Sequence, residues 1–321
     1  MFSKMMNNYY YGKSGKGDYR KEDLPTNRWQ LFCEMLRIRL SGLTRLNLMY
    51  AVAWLPAMMV ILINALGWYS NLGSIMESAN GDIAAIQAAM GPLNSSVVLN
   101  CAVWLIPCLL ITGPFTAGVA YVTRNWARDE HAFVWSDFKD AIKENWKQAL
   151  GVSAITSVAP ALVIICWNFY GGMAEKMNSP LLMVPQIFVA TMGLVWSLML
   201  IYLYPLMISY RLTFRQLIRN ALFLALGRLP YSILFRLTSL VPLGIALLVA
   251  VFVGQMQWVV FGVLVYYLLF GFAFSRFVFA SYTNGVFDKF INSRIEGAQV
   301  NRGLSDAADE DDEDEEEDEE E

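Results

Sequence analysis

His131 is the only histidine among the 321 residues, and it stands among acids: Asp129 and Glu130 precede it and Asp137 follows. An imidazole beside carboxylates is the raw material of general acid–base chemistry. The rest of the machinery is missing. No serine or cysteine nearby has the layout of a nucleophile elbow. There is no H-E-x-x-H pair, and the four cysteines, Cys33, Cys101, Cys108 and Cys166, make no C-x-x-C. The glycines of "GPFTAG" from Gly113 lack the G-K-[ST] ending that sets a lysine on phosphates. The expectation is a protein that is not an enzyme, with no catalytic residue, no cofactor and no metal. His131 reads as a surface histidine on a polar loop.

The elements around His131 explain what the stretch is for. The chain is 56% hydrophobic and only 16% charged, above the roughly 45–50% apolar content of soluble domains. About 20 consecutive apolar residues span a hydrocarbon core. Six runs meet that length, near 47–69, 96–123, 150–171, 181–208, 231–253 and 256–280. The fold class is therefore all-α: a polytopic membrane protein with six transmembrane helices. The first run starts near Asn47, too late for a cleaved leader, so it is expected to stay as an anchor. Only "GQMQ" at 254–257 separates the last two runs, which predicts a tight hairpin.

Orientation follows from lysine and arginine. Of 24, only Lys176 falls on the far side of this topology; the others lie before the first run, in the two long loops and at the C-terminal end. The positive-inside rule makes both termini cytoplasmic. No Asp, Glu, Lys, Arg or His is expected deep in any span, which argues against a proton-coupled transporter. The polar residues in or near spans, Asn47, Asn64, Asn100, Asn168, Gln186, Thr191 and Ser197, are expected to hydrogen-bond between helices; lining a path for a neutral solute is the other reading.

Two amphipathic cytoplasmic surface helices should feed spans. From Trp29 to Leu46, apolar Trp29, Phe32, Leu36, Leu40 and Leu43 alternate with arginines. From Phe138, the apolar positions are Phe138, Ala141, Ile142, Trp146, Ala149 and Leu150, a period near 3.6. Ser136 stands as N-cap with Asp137 in the first turn. Phe138, Ile142 and Trp146 should anchor this helix by burial. "FKDAIKENWKQALG" from Phe138 also aligns without gaps to "FRQLIRNALFLALG" from Phe214. Either the chain repeats one plan of surface helix and two spans, or two amphipathic helices resemble each other. Gly113 and Ala117, and Thr116 and Ala120, are four apart, the spacing at which small residues let membrane helices approach. Five of the six spans contain proline, read chiefly as ordinary membrane-helix kinks.

The chain divides into a flexible cytoplasmic arm (1–26), the six-span domain (27–295) and a disordered acidic cytoplasmic tail (296–321). From Asp306 onward 14 of 16 residues are acidic, and without that run the net charge moves from −4 to +10. Such a run cannot form a core. It reads as a solvated tail, or as one that docks on basic surfaces of this chain or a partner.

"GPFTAGVAYVTRNWARDEHAFVWSDFKDAIKENWKQ" resembles the YesL-like family of small bacterial integral membrane proteins. Trp146 in the same stretch is a packing candidate, while Gly113, Pro114, Ala117, Gly118, Tyr121, Arg124, Trp135, Ser136, Asp137, Phe138 and Asn145 carry the resemblance. It returns at "SYTNGVFDKFI" with Asn284, Phe287, Asp288 and Lys289. The resemblance spans roughly 28–295 and implies a bacterial cytoplasmic membrane and an accessory role near sugar uptake, beside ABC importers. It supplies no catalytic residues. The expected function is a non-enzymatic accessory or assembly component of a carbohydrate-uptake or envelope system. The alternative is a permease for a small neutral solute such as a sugar. The expected partners are the lipid bilayer and importer membrane subunits, with no nucleic acid.

Overall fold

The computed structural model describes residues 24–253 and 256–305. The described residues are helical without a strand, and six helical passes are long and apolar enough to cross a membrane. The helices are α1 (Arg28–Ser78), α2 (Ile83–Trp126), α3 (Val134–Met177), α4 (Met183–Ser209), α5 (Phe214–Gly227), α6 (Leu229–Val253), α7 (Met256–Tyr266) and α8 (Phe272–Phe290). A π turn, Tyr267–Gly271, joins the last two. The arm up to residue 23, the acidic run from Asp306 and Gly254–Gln255 of the expected hairpin turn lie outside the described residues.

Side-chain caps set the helix starts. Asn27 accepts hydrogen bonds from the Trp29 and Gln30 amides, Asp82 from the Ala84 amide, and Thr213 and Gln216 form a capping box. α3 departs from expectation. It begins at Val134, so Ser136 is inside the first turn, and Asp137 turns back to accept the Phe133 amide at 2.8 Å. α3 ends on Asn178 in the left-handed region.

The surface helices at Trp29 and Phe138 are not separate elements. α1 runs 51 residues without a break and α3 runs 44, about 77 and 66 Å at 1.5 Å per residue. Each surface segment is the protruding end of a span, and Gly42 and Gly151, which lie near the two junctions, do not break the helices. Only α5 is a helix of its own. It packs Leu217, Ala221 and Ala225 inward and breaks from α6 at Arg228. The two aligned stretches thus sit differently, one inside a continuous helix and one in a short helix.

The buried stripe of α1 is rotated from the expected one. Leu31, Met35, Leu43 and Leu46 are buried, while Trp29 and Leu40 are exposed. On α3, Phe138, Ala141, Ala149 and Val152 are buried but Trp146 is 47% exposed. Asn145 and Gln148 take the inward side there, and the Gln148 amide donates to the Leu212 carbonyl at 2.7 Å.

Small residues bring α2 against α3. A Cβ built on Gly113 would lie 2.5 Å from the Ala149 carbonyl oxygen, and one on Gly118 would strike the Phe138 ring. Ala117 and Ala120 are fully packed beside them. Interhelical hydrogen bonds come from the expected polar residues. Asn64 accepts from Asn100, Gln186 donates to the Trp167 carbonyl, and Ser197 accepts from Arg236. Asn47 does most. Its amide donates to the Tyr267 and Leu268 carbonyls, and its oxygen accepts the Ala273 amide, satisfying the backbone that the π turn leaves open.

Core packing is concentrated in one half of the bundle, with Ala174 an isolated buried residue toward the other end. Two clusters of buried residues, one joining α2, α3, α4, α5 and α8 and the other α1, α2, α3 and α8, lie toward the basic ends. No residue from Met58 to Cys101, from Leu162 to Met173 or from Glu175 to Ser197 is buried. Among the described residues of the α6–α7 hairpin, none from Ile233 to Phe270 is buried either.

Candidate functional site

At the basic end the last turns of α2, α4 and α8 converge on a cavity of about 60 Å³ lined by Arg124, Arg128, Tyr210, Asn284, Asp288 and Asn292, with Ser209 and Phe287. α8 supplies Asn284 and Asp288 four residues apart, hence on one helical face. Asn292 follows one turn on.

Asp288 is buried and holds three partners. The Arg28 guanidinium pairs with its Oδ2, the Asn292 amide donates to its Oδ1 at 2.6 Å, and the Asn301 backbone N–H donates at 3.3 Å. Arg28 also donates to Asn301 Oδ1 at 2.9 Å. The Tyr210 hydroxyl donates to Asn292 Oδ1 at 2.7 Å. Its pKa is pushed up to about 12, by burial first and then by the Asp288 charge, with Arg124 and Arg128 pulling the other way.

The opposite wall is cationic. Arg124 donates to Asn125 Oδ1 at 3.3 Å, and Asn284 donates to the Arg124 carbonyl. Arg128 Nε lies 3.3 Å from Glu130 Oε1, within ion-pair range but without hydrogen-bond geometry, so the buried N–H has no acceptor. Arg302 shares the same Glu130 carboxylate at 3.1 Å. The Ser209 hydroxyl is buried without a partner.

Residues 296–305, assigned by composition to the tail, run back over this end. Leu304 is buried against the group containing Trp126, and the Ser305 N–H donates to the Pro25 carbonyl. The ordered body therefore extends beyond 295, because acidity starts only at Asp306. Asp129 and Asn301 adopt positive φ at the turns that bring the segments together.

Of the residues singled out in sequence, Arg124, Asn284, Phe287 and Asp288 meet at the chamber from two stretches 160 residues apart. Gly113, Ala117 and Phe138 belong to the α2–α3 seam, and Pro114 follows Gly113 inside α2. Asn145 lines a separate recess with Gln148 and Leu212, Asp137 caps α3, and Trp135 and Trp146 are exposed. His131 is exposed and packs edge-on against Phe133, with no cluster of metal-ligating side chains among the described residues. Sequence reasoning passed over Arg28, Tyr210 and Asn301, whose partners are distant in the chain, and Arg128, which pairs locally with Glu130 but reaches the chamber only through the fold. Asn292 was within reach, one turn beyond Asp288.

Two further arginines correct the expectation of charge-free spans. Arg236 lies within α6, its Nε donating to Ser197 Oγ at 2.7 Å, and Arg276 lies within α8, 5.4 Å over the Tyr204 ring. Both fall inside the apolar runs 231–253 and 256–280 and were counted with the loop cations because they stand near the basic ends of those runs. Chemically, the chamber offers guanidinium and amide donors around a fully engaged carboxylate. It ties both ends of the described chain to one point of the bundle.

Residues 97–169 match the family described as "Protein of unknown function, DUF624", a segment holding α2 from Val97, the His131 loop and most of α3. No curated protein and no solved structure matches the chain.

Proposed function

We propose that the protein is a non-enzymatic accessory or assembly component that docks laterally on another integral membrane protein in the bacterial cytoplasmic membrane, with both termini inside. The α6–α7 hairpin carries this reading. Pro242, Ile245, Ala246, Val249, Trp258 and Gly262 shape an apolar recess of about 520 Å³ between its arms. Gly244 and Gly262 have nothing within 4 Å of an added Cβ. Small residues on a membrane helix are places where another helix approaches closely, and no described residue packs against them there. The concentration of lysine and arginine at the other end supports the orientation.

The partner class comes from the resemblance to YesL-like proteins: membrane subunits of an importer for carbohydrate. A permease for a small neutral solute is the competing reading, favoured by the Asn64–Asn100 pair at the far end. Affinity-tagged full chain, purified from its own membranes, should bring importer membrane subunits with it, and the chain alone in liposomes should give no uptake. Saturable sugar uptake by the chain alone would favour the permease and defeat the assembly reading.

A further inference from the structure

Away from the chamber, α1, α6 and α8 enclose a second cleft, of about 410 Å³, which opens at the basic end. Its walls are apolar: Phe32 from α1, Phe235 from α6, Val278 and Tyr282 from α8. Phe235 stacks on Tyr282 with ring centroids 4.0 Å apart. Its mouth is cationic. Arg28 is committed to Asp288, but Arg228 and Lys289 have no carboxylate within 4 Å among the described residues. Both face the Phe290 ring, at 5.6 and 5.8 Å from its centroid. Arg228 also lies 4.5 Å over Tyr231, and its buried Nε has no acceptor. Two like charges are held against one ring with a donor unused.

We propose that this cleft binds an anionic phospholipid of the leaflet at the basic end, its phosphodiester on Arg228 and Lys289 and an acyl chain along Phe32, Phe235 and Val278. A cationic mouth over an apolar wall matches an anionic amphiphile. Basic pockets between membrane helices on the cytoplasmic side take such headgroups. Trp29, exposed at the mouth, stands where interfacial aromatics meet headgroups. A free oxyanion would use the mouth and leave the apolar wall unmatched.

The test uses the full chain, delipidated in neutral detergent and supplied with phosphatidylglycerol or phosphatidylcholine in mixed micelles. Lipid retention is read by native mass spectrometry and stability by thermal melting. Phosphatidylglycerol should be retained at least ten-fold more than phosphatidylcholine and should raise the melting temperature. The double variant Arg228→Gln, Lys289→Gln should lose that preference. Ser281→Trp, which obstructs the cleft with every charge kept, should lose it too. Arg215→Gln with Arg219→Gln, which removes two exposed charges from α5, should keep it. Equal retention of the two lipids would overturn the proposal, as would equal loss in the α5 control. So would inorganic phosphate giving the same stabilisation as the lipid, since a free oxyanion would then suffice. Binding that appears only after residues 306–321 are deleted would give the mouth to the acidic tail and overturn it as well.

Discussion

Arg28 and Asp288 are 260 residues apart and paired, so the first turn of α1 and the last turn of α8 are locked at one end of the bundle. Removing one partner of a fully buried pair costs roughly 3–5 kcal/mol. Arg28 keeps 28% side-chain exposure, so Asp288→Asn is expected to destabilise by about 2 kcal/mol, below that range. Denaturation in detergent checks the value. A double-mutant cycle with Arg28→Gln should return a coupling well above the few tenths of a kcal/mol of independent sites.

Gly113 is a packing residue. Gly113→Ala puts a methyl group 2.5 Å from the Ala149 carbonyl, and overpacking of this kind costs about 1–3 kcal/mol. Gly67→Ala, on α1 with open space around it, should be neutral or stabilise by up to about 1 kcal/mol through helix propensity. Parallel melting curves separate the two; similar shifts would mean that α2 and α3 are not in close contact at Gly113.

The helix after His131 is anchored by Phe138, with Trp146 outside the seam. Phe138→Ala should cost about 3–5 kcal/mol. Trp146→Ala and His131→Ala, at exposed positions, should each stay within about 1 kcal/mol. A stable Phe138→Ala would remove the anchor, and lost cellular function in a stable His131→Ala would reopen the catalytic reading of the loop.

Tyr210 predicts a narrow pH effect. Its folded pKa is about 12, above the roughly 10 of an unfolded tyrosine. Between those values the native state holds a proton that the unfolded state has released. The contribution is therefore fully present below pH 10 and is lost as pH rises toward 12. Tyr210→Phe should flatten that part of the stability curve relative to wild type and leave it parallel below pH 9.

The spans were legible because twenty apolar residues are a local signal. So was the α2–α3 seam, since Gly113, Ala117 and Ala120 advertise close approach by size and spacing. Half of the chamber was legible too, through the stretches around Arg124 and Asp288. What stayed hidden depends on segments that meet only in the fold. Arg128, Tyr210 and Asn301 acquire meaning only when three helix ends meet, and Asn47 acquires it only against a π turn 220 residues away. Trp146 misled because a period near 3.6 fixes which residues share a face, while long-range packing decides which side of that face is covered. Arg236 and Arg276 misled because each lies inside an expected apolar run but near its basic end, where it counts equally well as a loop cation.

Thiol labelling tests the orientation. Single cysteines at Ser74 and Asn178, in a cysteine-free background, should react with an impermeant reagent on sealed cells. Positions between Arg128 and Lys147 should stay silent until the cells are opened. External labelling of that loop would reverse the topology.

The docking claim is tested most directly by a photo-crosslinking amino acid placed at Ala246 or Gly262, on the far half of the α6–α7 hairpin where no described residue is buried, and activated in intact cells. A defined adduct with an importer membrane subunit should form from both positions and be absent from Leu217, which α5 buries inside the bundle. Adducts confined to lipid at both hairpin positions, together with saturable solute uptake by the purified chain, would contradict the account.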